Sequence, residues 1–101
     1  VLTNKTLRDT VYSLTGTEFD AINGQMQTKV LSAPVTFTDA LTSGDAIVLQ
    51  LEGGATHAVT WPTITWVSGT GDVEPILTAK DALVLWKVSS TLYGSWVGSY
   101  A

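Results

Sequence analysis

The stretch Ala82-Leu83-Val84-Leu85-Trp86-Lys87-Val88-Ser89-Ser90-Thr91-Leu92-Tyr93-Gly94 decides the fold class. Aliphatic, β-branched and aromatic residues fit a pleated, half-buried surface, so Ala82–Val88 and Thr91–Tyr100 read as strands. Two serines between them read as the turn of a tight hairpin. The first run has a second property. Leu83, Val84, Leu85 and Trp86 are consecutive apolar residues, so both faces of that strand are apolar. A strand with one wet face alternates apolar and polar residues. Ile47-Val48-Leu49 shows the same double-sided pattern. Such strands need two covers. One can be a second layer of the same domain, and a neighbouring subunit is the expected source of the other.

Strand candidates continue outward from this hairpin at intervals of about ten residues, which is the spacing of a sandwich, jelly roll or barrel. Ala46–Glu52 is the clearest, ended by Gly53-Gly54. His57–Trp61 and Thr63–Val67 flank Pro62, which either bends one strand or separates two. Gln25–Ser32 alternates, with Met26, Thr28 and Val30 on one side, and Val35–Thr38 follows Pro34. Thr10–Leu14 and Ile76–Thr78 read as short strands. Glu18–Asn23 and Ser68–Glu74 read as loops, Asn23-Gly24 as a turn, and Asp39–Gly44 as a single helical turn ended by glycine. The expected fold is all-β: a small antiparallel β-sandwich or jelly-roll-like module over residues 10–101, preceded by an extended segment over residues 1–9.

Composition narrows the function. At 101 residues the chain is one domain. It is 45% apolar and only 14% charged, where about a quarter is usual. That shortage of charge also points to surface covered by another chain. The net charge is −4, and the five basic residues Lys5, Arg8, Lys29, Lys80 and Lys87 are scattered. Nucleic-acid binding needs clustered cations, so it is not expected. The absence of cysteine excludes disulfides and thiol chemistry. Apolar runs such as Ala82–Trp86 are far shorter than a membrane span, so membrane insertion is not expected. The chain opens at Val1 with no charged-then-apolar leader and reads as a piece of something longer.

Catalytic signals are sparse. The single histidine, His57, lies at the apparent start of a strand, and no nucleophile-elbow motif surrounds a serine. The loop acids Glu18 with Asp20, and Asp72 with Glu74, could in principle act as a glycosidase pair or hold calcium. Their spacing demands neither, and solvated loop acids account for both pairs. No catalytic, metal or cofactor residues are therefore assigned. The aromatic residues are the feature best suited to binding. Trp61, Trp66 and Trp86 read as packing residues, Trp86 as core. Tyr93, Trp96 and Tyr100, on a Gly- and Ser-rich final strand, are the candidates for exposure. With Asp72 and Glu74 they form the set of receptor-binding candidates.

Two stretches resemble a known family. Leu2-Thr3-Asn4-Lys5-Thr6-Leu7 resembles the LTNKTL segment of many bacteriophage tail-fibre and tail-spike sequences, where it often repeats in extended regions. The Trp-containing strands around Trp61, Trp66 and Trp86, the Gly-rich loop Ser68–Gly71, Ile76-Leu77-Thr78 and Leu92-Tyr93-Gly94 are similar to a C-terminal module of phage fibre proteins. The loop Ser68–Glu74 departs from that pattern in being longer and more acidic. The resemblance implies a non-enzymatic homotrimeric element of the virion without a cofactor, whose target is a host surface polysaccharide or protein. Two rivals stand beside it. One is a monomeric carbohydrate-binding module of a secreted enzyme, and the other is a small hydrolase using the loop carboxylates.

Overall fold

The computed structural model describes residues 11–100, so the extended segment expected over residues 1–9 lies outside the described residues. The architecture is all-β, as expected. Ten strands are present among the described residues: β1 Tyr12–Ser13, β2 Glu18–Phe19, β3 Met26–Val30, β4 Val35–Thr36, β5 Thr38–Asp39, β6 Ala46–Glu52, β7 Val59–Thr60, β8 Thr65–Trp66, β9 Lys80–Val88 and β10 Thr91–Ser99. Six of them form the main sheet in the order β1-β3-β6-β9-β10-β8, and two short sheets pair β2 with β5 and β4 with β7.

The direction of pairing is mixed. The expected hairpin is present: β9 and β10 run antiparallel across Ser89-Ser90, and Ser89 takes the positive φ of 57° that the tight turn requires. β6 is also antiparallel to β9. All other pairs, β1–β3, β3–β6, β2–β5, β4–β7 and β8–β10, are parallel rather than antiparallel. Parallel neighbours cannot be joined by a two-residue turn, so the chain must cross over between them. Here the crossovers are made of corners and two-residue strands instead of helices. From β1 the chain passes through β2 to β3. From β3 it passes through β4 and β5 to β6. Because β2 pairs with β5 and β4 with β7, residues 12–66 wind as a short coil closed by the C-terminal hairpin.

The corners explain where the local reading failed. Glu18–Asn23 is not simply a loop, since β2 pairs with β5 and a 3₁₀ turn follows at Ala21–Asn23, capped by Asp20. At Asn23-Gly24 only the glycine takes a positive φ. Val35–Thr38 breaks at Phe37 into two strands of different sheets. Pro62 separates β7 from β8, which likewise belong to different sheets. His57 sits in the turn before β7 instead of in the strand. Asp39–Gly44 contains no helical turn: Asp39 ends β5, and the Asp45 carboxylate accepts from the Thr42 backbone N–H and hydroxyl. Ile76–Thr78 is not a strand, because Thr78 is folded onto the Asp81 carboxylate through both its backbone N–H and its hydroxyl. Gly53, at φ 95°, turns the chain after β6, and a Cβ on Gly54 would lie 2.7 Å from Leu77 Cβ.

The core lies between the inner face of the main sheet and the coil. Alternation sends Ile47, Leu49 and Leu51 of β6, and Leu83 and Leu85 of β9, inward. Phe19, Phe37, Leu31 and Leu41 meet them from the coil. Phe19, Phe37 and Trp61, each on a different pass of the chain, stack as a column: the Phe19 and Phe37 rings are 4.6 Å apart, and Phe37 and Trp61 5.5 Å apart. Trp66 closes the column edge-on against Trp61 at 5.3 Å. Lys87, at the inner end of β9, is paired with Asp39 across the sheets.

Candidate functional site

Two surfaces are candidates. The first is the outer face of the main sheet. Residues that alternate with the core positions, Met26, Val48, Val84 and Ala82, point away from the coil, in rows set by the strand register. One row runs Met26–Val48–Val84–Ser95, and its neighbour runs Ala46–Trp86–Tyr93. Trp86 is therefore not a core residue as expected. Leu83 and Leu85 take the inner positions, which puts Trp86 on the outer face, where its ring stacks on Tyr93 at 5.8 Å. Met26, Val48, Val84, Trp86 and Tyr93 are half-buried on this face. Charge enters at one end only, where Glu52 faces Lys80. With strands about 4.8 Å apart and about 3.4 Å per residue, the apolar part spans roughly 250 Å² of sheet.

The second surface is a groove of about 600 Å³ at the edge of the sheet. It is bounded by Val67–Thr70 on one side, Val73–Ile76 on the other, and Ser95 and Trp96 of β10. β8 pairs with β10 only at Tyr93 and Gly94, and the chain then turns off into the Ser68–Glu74 loop. Asp72 makes that departure stable: its carboxylate accepts from the Trp66 backbone N–H at 2.6 Å. Ser68 ties the loop to itself by donating to the Gly71 carbonyl and accepting from the Thr70 N–H. Trp96 is 41% exposed at this groove, yet its ring is anchored. Its indole N–H donates to Oδ1 of Asp81 at 2.9 Å, and Asp81 is fully buried. The same carboxylate accepts from the Thr78 N–H and hydroxyl, so a buried charge is satisfied by three donors.

The five receptor-binding candidates thus separate. Trp96 and Glu74 line the groove. Asp72 lies behind it as the brace of the loop. Tyr93 belongs to the outer face. Tyr100 sits at the far end of β10, its N–H donating to the Lys80 carbonyl. Its phenol is held above the ordinary tyrosine value by burial first, then by the charges of Glu52 and Asp81. Val67, Val73 and Ile76 were not among the candidates, although they stand exposed around the groove. Pro75-Ile76 in an otherwise polar loop was the one sequence signal for them.

For catalysis, the described residues bring no histidine to either surface, and no group of three or more metal-ligating side chains occurs among them. No helix among the described residues is long and apolar enough to cross a membrane. The chain matches no family model, no curated protein and no solved structure.

Proposed function

We propose that the chain is a non-enzymatic assembly and adhesion module of the bacteriophage tail-fibre type, self-associating as a homotrimer that serves at the distal end of a fibre in receptor binding or in capping the shaft. The apolar outer face of the main sheet carries this reading. A contiguous patch of roughly 250 Å² is close to the few hundred Å² that monomeric proteins leave exposed. Burying it would contribute on the order of 6 kcal/mol per copy. That is comparable to the ~4–15 kcal/mol cost of association, so a stable assembly needs most of the face covered. Cyclic symmetry offers each copy two neighbours and multiplies weak receptor contacts. The LTNKTL stretch at Leu2–Leu7 supports the fibre assignment through its resemblance.

Light scattering tests the reading. The expected mass at micromolar concentration is three chains, falling to one in Val84→Lys with an unchanged circular dichroism spectrum. A wild-type chain that is folded and monomeric would overturn it. A Val84→Lys chain that stays trimeric would remove the outer face as the interface. Further NKTL-like repeats in the polypeptide upstream would agree with a fibre, whereas a catalytic domain there would favour the rival. That rival is a monomeric carbohydrate-binding module, and one observation favours it: Trp96 presents an anchored, partly exposed ring beside the Glu74 carboxylate.

A further inference from the structure

We infer that the groove beside Trp96 is a strand-addition site, which takes an extended peptide segment of another polypeptide along the free edge of β10. Three observations lead there. The first is the backbone. The Gly94 carbonyl accepts from the Val67 N–H at 2.8 Å, so the polar groups of Gly94 face away from β9. Strand alternation turns the N–H and C=O of Trp96 to the same side. Beyond Val67, no backbone hydrogen bond joins the loop to β10 among the described residues. The edge of a nine-residue strand is thus left open for part of its length.

The second observation is where the groove lies. Ser95 and Trp96 are consecutive in β10, so their side chains point to opposite faces of the sheet, yet both line the same groove. A groove bordered by consecutive residues of one strand, beside the point where Val67 leaves β10, lies along that strand's edge. It occupies the position that β8 would fill if it continued past Trp66. An added strand would therefore find backbone partners at Trp96 and, on either side, the apolar side chains Val67, Val73 and Ile76.

The third observation is the composition of the edge and the charge of the groove. Exposed edges are ordinarily blunted by lysine, proline, bulges or very short length. Ser95–Ser99 has neither lysine nor proline. A bulge does interrupt the register between Trp96 and Gly98. It limits the added ladder to a few residues, and the groove then supplies the contact area that a short ladder lacks. Among the described residues, Glu74 is the sole charged residue lining the groove, and no lysine or arginine lines it. The occupant is accordingly an extended segment with apolar side chains at alternate positions and basic rather than acidic neighbours. This matches the general mode in which main-chain bonds supply affinity and pockets for alternate side chains supply specificity.

Hydrogen exchange and tryptophan fluorescence on the full chain test the site. The probe is the capped heptapeptide Lys-Val-Thr-Val-Thr-Val-Lys, used beside a version N-methylated on alternate residues and a version with Glu at both ends. The Trp96 amide, open before binding, should become at least tenfold slower to exchange with the lysine peptide. The N-methylated peptide should give no protection, and the Glu peptide should bind at least severalfold more weakly. Ile76→Lys, at a side chain 91% exposed and so without a folding role, should weaken the lysine peptide about tenfold. No protection of Trp96 at millimolar peptide overturns the inference, as does equal protection by the N-methylated peptide. A neutral oligosaccharide that competes with the peptide for Trp96 while the N-methylated peptide also binds would assign the groove to sugar instead. The outcome is independent of self-association through the outer face, which the mass measurement reports separately.

Discussion

Replacing Phe37 by alanine tests whether the ring column holds the coil together. Phe37 is 1% exposed and sits at the corner between β4 and β5, with its N–H donated to the Thr60 carbonyl. Its ring lies 4.6 Å from that of Phe19 and 5.5 Å from that of Trp61. Truncating a buried Phe to Ala costs about 3–5 kcal/mol, depending on how far the site collapses. Collapse is difficult here. The two flanking rings belong to separate passes of the chain, and each pass is fixed by its own strand pairs. The expected loss is therefore in the upper part of that range, about 4–5 kcal/mol. Single domains have only about 5–15 kcal/mol of stability to lose. At about 4–8 °C per kcal/mol for a domain of this size, the melting temperature should fall by at least ~16 °C. Phe37→Leu keeps an apolar side chain but gives up the ring contacts, worth about 0.5–1.5 kcal/mol per pair, and should lose about 1–3 kcal/mol. Urea unfolding followed by tryptophan emission measures both, at one fixed protein concentration because association shifts apparent stability. A Phe37→Ala loss below ~1.5 kcal/mol would refute the column as a source of stability.

Three further outcomes are expected. Gly94→Ala should destabilise by about 1–3 kcal/mol in the same unfolding assay, because the added methyl would lie 2.9 Å from both Leu85 Cδ2 and Trp66 Cζ3. A neutral result would mean that Trp66 is free to move. Asp81→Asn replaces a buried carboxylate that three donors address, and should lose about 2–3 kcal/mol. It should also lower the steady-state anisotropy of Trp96 emission, read in a chain whose other tryptophans are Phe; unchanged anisotropy would show that the Asp81 bond does not anchor the ring. Tyr100 keeps its proton more tightly folded than unfolded. Its contribution to stability is thus fully present below the unfolded tyrosine value near 10 and is lost as pH rises through the higher folded value. Absorbance titration should show one phenol titrating late, and Tyr100→Phe should remove both that step and its share of the alkaline decline.

Some of this protein could be read directly from its residues. Residues 46–52, 82–88 and 91–100 declare themselves as strands because they are rich in large apolar side chains, and the Ser89-Ser90 link allows only an antiparallel partner. The consecutive apolar residues at Ile47–Leu49 and Leu83–Trp86 announced two apolar faces, and the structure has them: one packed on the coil, the other half-buried on the outer side of the sheet. The same reading misplaced Trp86, since a one-residue choice of register decides which face is inner, and Trp86 looks equally apolar on either.

What only the tertiary structure decided is the parallel coil and everything that depends on it. Strands such as Glu18–Phe19, Val35–Thr36 and Val59–Thr60 are two residues long, too short for any period to register. They exist because partners from a distant pass of the chain satisfy their backbone groups. The ring column is hidden for the same reason, since Phe19, Phe37 and Trp61 share no local pattern. The groove could not be foreseen either: it forms where the Ser68–Glu74 loop leaves the edge of β10, held off by Asp72. Local sequence governs which backbone segments can extend, whereas the choice of partner is made by burial and hydrogen-bond satisfaction across the whole chain.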